Sequence, residues 1–119
     1  MKKVYYLKTC DTCKRILKQW NLPNIFIFQE IKEEPITISQ LVEMHELSGS
    51  YEALFSKRAR LYKERSLKNE NLTEQDYKAL LLEHYTFLKR PILIIENQIF
   101  IGNSKKVVEA ASKFLANEA

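Results

Sequence analysis

The first thirty residues constrain the fold more than any other stretch. Lys3 to Leu7 reads KVYYL, a β-branched and aromatic run that suits a buried strand. From Cys13 onward the apolar positions Ile16, Leu17 and Trp20 share one helix face, and Asn21 and Pro23 close that helix. Ile25 to Phe28 reads IFIF, which predicts a second buried strand. Strand, helix, strand in that order gives a crossover long enough for parallel pairing.

The rest of the chain extends this pattern. Thr37 and Gln40 have capping-box spacing and open a helix carrying Leu41, Val42 and Met44. Residues 47–72 show no clear period. A short helix near Tyr51 to Phe55 and then a basic irregular segment are expected there. Thr73 and Asp76 start another helix, with Tyr77, Leu80 and Leu81 turned inward. After Arg90-Pro91 comes the strand ILII, a tight turn at Asn97-Gln98, and a returning strand Ile99 to Ile101. Ser104 or Asn103 can cap a last helix whose inner face is Val107, Val108, Ala111, Phe114 and Leu115.

A hydrophobic content of 45% with only 2 glycines and 3 prolines in 119 residues argues against disorder and for one domain, residues 1–119, with a helical insertion at about 37–88. The order β-α-β, helical insertion, β-β-α is the thioredoxin-like arrangement, an α/β fold with a mixed sheet. It puts the end of the first strand, and the loop after it, at the edge of that sheet.

That loop is KTCDTCKR, with Cys10 and Cys13 as a Cys-x-x-Cys pair. A thiol acts as a nucleophile only when ionised, and a helix N-terminus favours the thiolate through unpaired amide groups and the helix dipole. Lys8, Lys14 and Arg15 add positive charge nearby, while Asp11 opposes them. Cys13, one turn on, faces the same side and can attack a mixed disulfide on Cys10. A pair of inert core cysteines is the plain alternative. A zinc site needs two more ligands, and His45 and His84 lack paired spacing, so no metal is expected. In thioredoxin-like folds a cis-proline precedes the third strand and faces the redox cysteines. Pro91 stands at that position, and a proline that merely starts a strand is the plain alternative.

A net charge of +4, from 19 basic and 15 acidic residues, gives no ground for direct nucleic-acid binding. The basic residues do cluster, between Lys57 and Arg65 and at Lys89 and Arg90. A solvated face is one explanation, and a site for a small anionic substrate or an acidic partner is the other. No apolar run approaches the roughly 20 residues of a membrane span, and no signal peptide is visible, so a cytoplasmic protein is expected. Thiols stay reduced there, which fits redox work better than a structural bridge.

Three segments, YYLKTCDTCKRILKQW, LFSKRARLYKE and FLKRPILIIENQIFIGNSKKVV, resemble in order and spacing those of the bacterial arsenate reductase (ArsC) and Spx family. The resemblance implies that Cys10 is the catalytic cysteine and Cys13 the second position of the redox motif. It implies that Arg90, before the cis-proline Pro91, helps bind an oxyanion, and that Arg58 matches an arginine of the family's basic loop. A guanidinium holds an oxyanion or a carboxylate through two hydrogen bonds. The sequence also departs from the glutaredoxin-linked arsenate reductases. Their further arginines fall on Asn103 and near Ser56 here, and they lack a cysteine at the second redox position. Two functions follow from the resemblance. One is a thiol-dependent oxidoreductase, arsenate reductase-like or glutathione-dependent, with no bound cofactor, glutathione as co-substrate and glutaredoxin as a partner. The other is an Spx-like redox-sensing transcriptional regulator that binds the α-subunit of RNA polymerase through its C-terminal domain.

Overall fold

The computed structural model describes residues Met1–Glu118. Its contacts divide into two compact units: Met1–Glu34 together with the segment from Arg90 onward, and Pro35–Lys89.

The first unit holds four strands and two helices. These are β1 (Lys2–Tyr6), α1 (Asp11–Trp20), β2 (Ile27–Glu30), β3 (Ile92–Ile95), β4 (Gln98–Ile101) and a C-terminal helix, Lys105–Glu118. The sheet order is β2-β1-β3-β4. The β1 and β2 strands run parallel, and the β1–β3 and β3–β4 pairs are antiparallel, so the sheet is mixed. The register pairs Val4 with Phe28 and Leu93, and Leu93 with Phe100, which sets these residues on one face. Val4, Leu93 and Ile95 pack there with Ile16 and Trp20 of α1 and with Val108 and Ala111 of the last helix. The Trp20 indole also donates a hydrogen bond to the Val108 carbonyl at 3.3 Å. Ser104 caps that last helix by accepting the Val107 N–H.

Two local details differ from the sequence expectation. The second strand begins at Ile27, two residues late, and lies at the sheet edge. Ile25, Ile27 and Phe28 are 67%, 59% and 47% exposed, while Gln29 and Glu30 are buried. An apolar run therefore does not mark a doubly covered strand here, because an edge position leaves it one neighbour. The hairpin turn also sits one residue earlier, at Glu96-Asn97. Glu96 takes the left-handed φ of 54°, and its carboxylate pairs with the amino group of Met1 at 2.9 Å and with Lys2 at 3.3 Å.

The second unit is helical: α2 (Ile38–Ser48), α3 (Arg60–Glu64) and α4 (Glu74–Glu83), with short 3-10 turns at Glu52–Leu54, Leu67–Asn69 and Tyr85–Phe87. Both predicted capping boxes form, Thr37 with Gln40 and Thr73 with Asp76. The segment expected to be irregular contains α3 and a 3-10 turn. Phe55 is the hub, stacked on Phe87 at 5.1 Å and tilted against Tyr77 at 4.9 Å. The chain on either side of Phe55 is tied to the chain on either side of Leu88 by Ser56 N–H to Phe87 O at 2.7 Å and Lys89 N–H to Leu54 O at 2.9 Å. The Glu74 carboxylate accepts the N–H groups of Tyr51 and Glu52, fastening the start of α4 to the 3-10 turn. The last helix of the first unit is called α5 below.

Candidate functional site

The cysteine loop leaves the sheet where β1 ends and enters α1 within a few residues. The Cys10 N–H donates to Leu7 O at 3.1 Å, which turns the chain sharply. Cys10 is the N-cap of α1, with extended backbone at φ −94° and ψ 111°. Its Sγ takes the place of the usual capping oxygen and accepts the Cys13 N–H at 3.4 Å. A negative charge on Cys10 would face unpaired amide donors and the positive end of the helix dipole. Both cysteines are free, Cys10 half-buried and Cys13 fully buried.

Cys13 differs sharply from its neighbour. Burial pushes its thiol up from 9.0 to about 11. A backbone hydrogen bond from Leu7 pulls the other way, a charge on Cys10 pushes further up, and the Arg90 guanidinium pulls down. Cys13 is therefore a protonated thiol at neutral pH, held one turn behind the half-buried Cys10.

The register Tyr5↔Ile92 puts Pro91 and Arg90 at the same end of the sheet as the cysteine loop. The Arg90–Pro91 peptide bond is cis, and Pro91 O accepts the Gly102 N–H at 2.9 Å. So the first unit brings together Cys10, Cys13, Arg90 and Pro91. Arg58 belongs to the second unit, exposed in the turn before α3. His45 stacks on Tyr51 and His84 on Tyr85. Among the described residues no three His, Cys, Asp or Glu side chains form a group that could hold a metal ion.

One residue beside the cysteine loop has no sequence signal. The pairing Tyr6↔Glu30 sets Glu30 on the other side of β1 from Arg90, at the same sheet end. Its buried carboxylate accepts three backbone N–H groups: Lys8 at 2.7 Å on Oε2, and Lys32 at 2.6 Å and Glu33 at 2.9 Å on Oε1. Burial raises its pKa, but those three donors and the Lys8 charge outweigh it and hold the carboxyl below its usual range. In the sequence Glu30 is one of three nearby glutamates, and only the strand register separates it from Glu33 and Glu34.

The family model for the ArsC family matches residues 5–111. The chain belongs to the ArsC family. Among curated relatives it is 24% identical over 103 residues to the global transcriptional regulator Spx of Bacillus subtilis, covering 83% of this chain and 77% of that one. Among solved structures it resembles an ArsC family related protein from Bacteroides fragilis, with a TM-score of 0.74, 24% identity, and coverage of 92% and 95%. It also resembles an arsenate reductase from Vibrio cholerae, with a TM-score of 0.71, 21% identity, and coverage of 91% and 97%. These structural likenesses agree with the thioredoxin-like fold of ArsC proteins expected from the order of elements. Among the described residues no helix is long and apolar enough to cross a membrane.

Proposed function

We propose that this ArsC-family chain is a thiol-dependent oxidoreductase of the bacterial cytoplasm in which Cys10 attacks and Cys13 resolves. The observation that carries the proposal is the capping of α1 by the Cys10 sulfur, with the protonated Cys13 directly behind it. A Cys10 thiolate attacks one sulfur of a substrate disulfide, expels the other sulfur as a thiolate, and forms a mixed disulfide. Cys13 then loses its proton to solvent, attacks Cys10 Sγ and expels the second substrate thiolate. The substrate gains two electrons, and the chain is left with a Cys10–Cys13 disulfide that an external thiol such as glutathione reduces. Once Cys10 is bonded to substrate it carries no charge. One cause of the high Cys13 pKa is then gone, while the Arg90 cation still lowers it. The resolving thiol is thereby activated by the first step.

Arg90 beside this pair is the residue to hold the carboxylate or oxyanion of a small anionic substrate, and glutathione disulfides carry such groups. A matching role for Arg58 rests on the likeness of its loop to the family's. No resident cofactor is required. The test is turnover of a glutathionylated peptide by wild type, Cys10→Ser and Cys13→Ser. Cys10→Ser should be inactive, and Cys13→Ser should accumulate a glutathione adduct on Cys10 visible by mass. Wild-type turnover in Cys10→Ser would overturn the proposal.

The likeness to Spx supports a second reading, a redox-sensing regulator that contacts the RNA polymerase α-subunit. Its signature would be binding to an isolated α C-terminal domain that changes when Cys10 and Cys13 form a disulfide, without turnover.

A further inference from the structure

We infer that Glu30 is a positioning residue for Cys10: its buried carboxylate clamps the backbone that presents the attacking thiol. The inference rests on the assignment of Cys10 as that thiol. Three observations carry it. Glu30 Oε2 accepts the N–H of Lys8, two residues before Cys10, at 2.7 Å. Glu30 Oε1 is anchored at the other end by the Lys32 and Glu33 N–H groups at 2.6 and 2.9 Å. Glu30 is also one of only two buried polar or charged residues among the described residues, the other being its neighbour Gln29.

The clamp spans a sequence separation of 22 residues and joins the end of β2 to the loop between β1 and α1. That loop makes one backbone bond of its own, Cys10 N–H to Leu7 O, before α1 begins. With Lys8 pinned, the next two residues have little freedom, and the Cys10 sulfur is held over the Cys13 N–H. A carboxylate suits this work because it accepts from three donors at once, and bonds to an ionised acceptor are about twice as strong as neutral ones.

Glu30→Gln tests the clamp with almost no change in volume. A glutamine oxygen can keep the Lys32 and Glu33 donors, but its amide NH2 then faces the Lys8 N–H, donor against donor. The cysteine side of the clamp opens while the β2 side stays closed.

Two effects of this substitution have opposite signs. If Glu30 is only a nearby negative charge, removing it favours the Cys10 thiolate, and alkylation at pH 7 speeds up. If Glu30 positions the loop, the sulfur leaves the Cys13 N–H, and alkylation slows. The experiment is the pH dependence of Cys10 alkylation by iodoacetamide, in Cys13→Ser and in Cys13→Ser with Glu30→Gln. The expected result is a several-fold slower rate at pH 7 in the double variant, with the pH profile moved to higher pH. Glu30→Asp, which keeps the charge, should recover part of the rate. A rate in the double variant equal to or above that of Cys13→Ser would overturn the inference. A slow Cys10 in Cys13→Ser itself would instead count against the proposed function, so the two failures are distinct. If Glu30→Gln does not fold, NMR of the wild type decides. The Lys8, Lys32, Glu33 and Cys10 amide signals should move together as Glu30 is protonated, with a midpoint below the ordinary glutamate value. A Cys10 amide that does not follow Lys8 would refute the clamp.

Discussion

The difference between the two cysteines is large enough to measure with one reagent. Cys13 titrates at about 11, and its side chain is fully buried. At pH 7 that leaves a thiolate fraction of about 10⁻⁴, since four pH units separate the pKa from the solution. Iodoacetamide reacts with the thiolate, so alkylation of native Cys13 should be about 10⁴ times slower than that of a fully ionised thiol, before any steric protection is counted. The assay is timed alkylation at several pH values, followed by tandem mass spectrometry of the peptide TCDTCK, which carries both cysteines. The half-buried Cys10 should be modified before the fully buried Cys13. Addition of denaturant should abolish the difference, because burial is the largest cause of the Cys13 shift. Cys10→Ser should lower the Cys13 midpoint, since the Cys10 charge and its hydrogen bond both push it up, and Arg90→Ala should raise it. Native Cys13 reacting as fast as Cys10 at pH 7 would refute the burial argument.

Three further outcomes follow from the packing and charges. The native state holds the Cys13 proton more tightly than the unfolded chain, so its stabilising contribution is present below 9.0 and lost as pH rises from there to about 11; denaturant melts should show Cys13→Ala flattening that loss. Leu93→Ala and Phe55→Ala, each in the core of its own unit, should cost about 2–5 kcal/mol, measured by urea unfolding. Arg58→Ala, on an exposed turn, should leave the melting temperature unchanged, as a thermal melt would show.

The elements were legible where one local signal sufficed. KVYYL and ILII became β1 and β3 because their β-branched and aromatic side chains fill a sheet interior. The capping spacings at Thr37 and Thr73 marked two helix starts to the residue, since the cap side chain reaches only three positions ahead. The Cys-x-x-Cys pair was equally plain. What stayed hidden depends on long-range partners. IFIF looks interior by composition, and its edge position appears only once the sheet order is known. The Glu96 carboxylate in the turn pairs with the amino group of Met1, 95 residues away. Glu30 looks like any surface glutamate until β1 fixes its depth and the Lys8 amide reaches it.

The Cys-x-x-Cys spacing itself creates the asymmetry on which the proposed chemistry depends. A residue at the N-cap lies half outside the helix, so Cys10 keeps access to solvent while its sulfur meets free amide donors. Three residues on, the chain has completed nearly one turn, and on an amphipathic helix that returns Cys13 to the buried side with Ile16 and Trp20. One thiol is thereby left half-exposed and the other buried, although both are the same chemical group. Two cysteines both in the cap would compete for substrate, and two both in the core would reach none. In the proposed reaction the order of events comes from charge: a charge on Cys10 raises the Cys13 pKa, and a mixed disulfide on Cys10 would remove that charge. The backbone that sets the cap is only as fixed as its tether, which is why a glutamate at the end of β2 belongs to the same device as the cysteines it never touches in sequence.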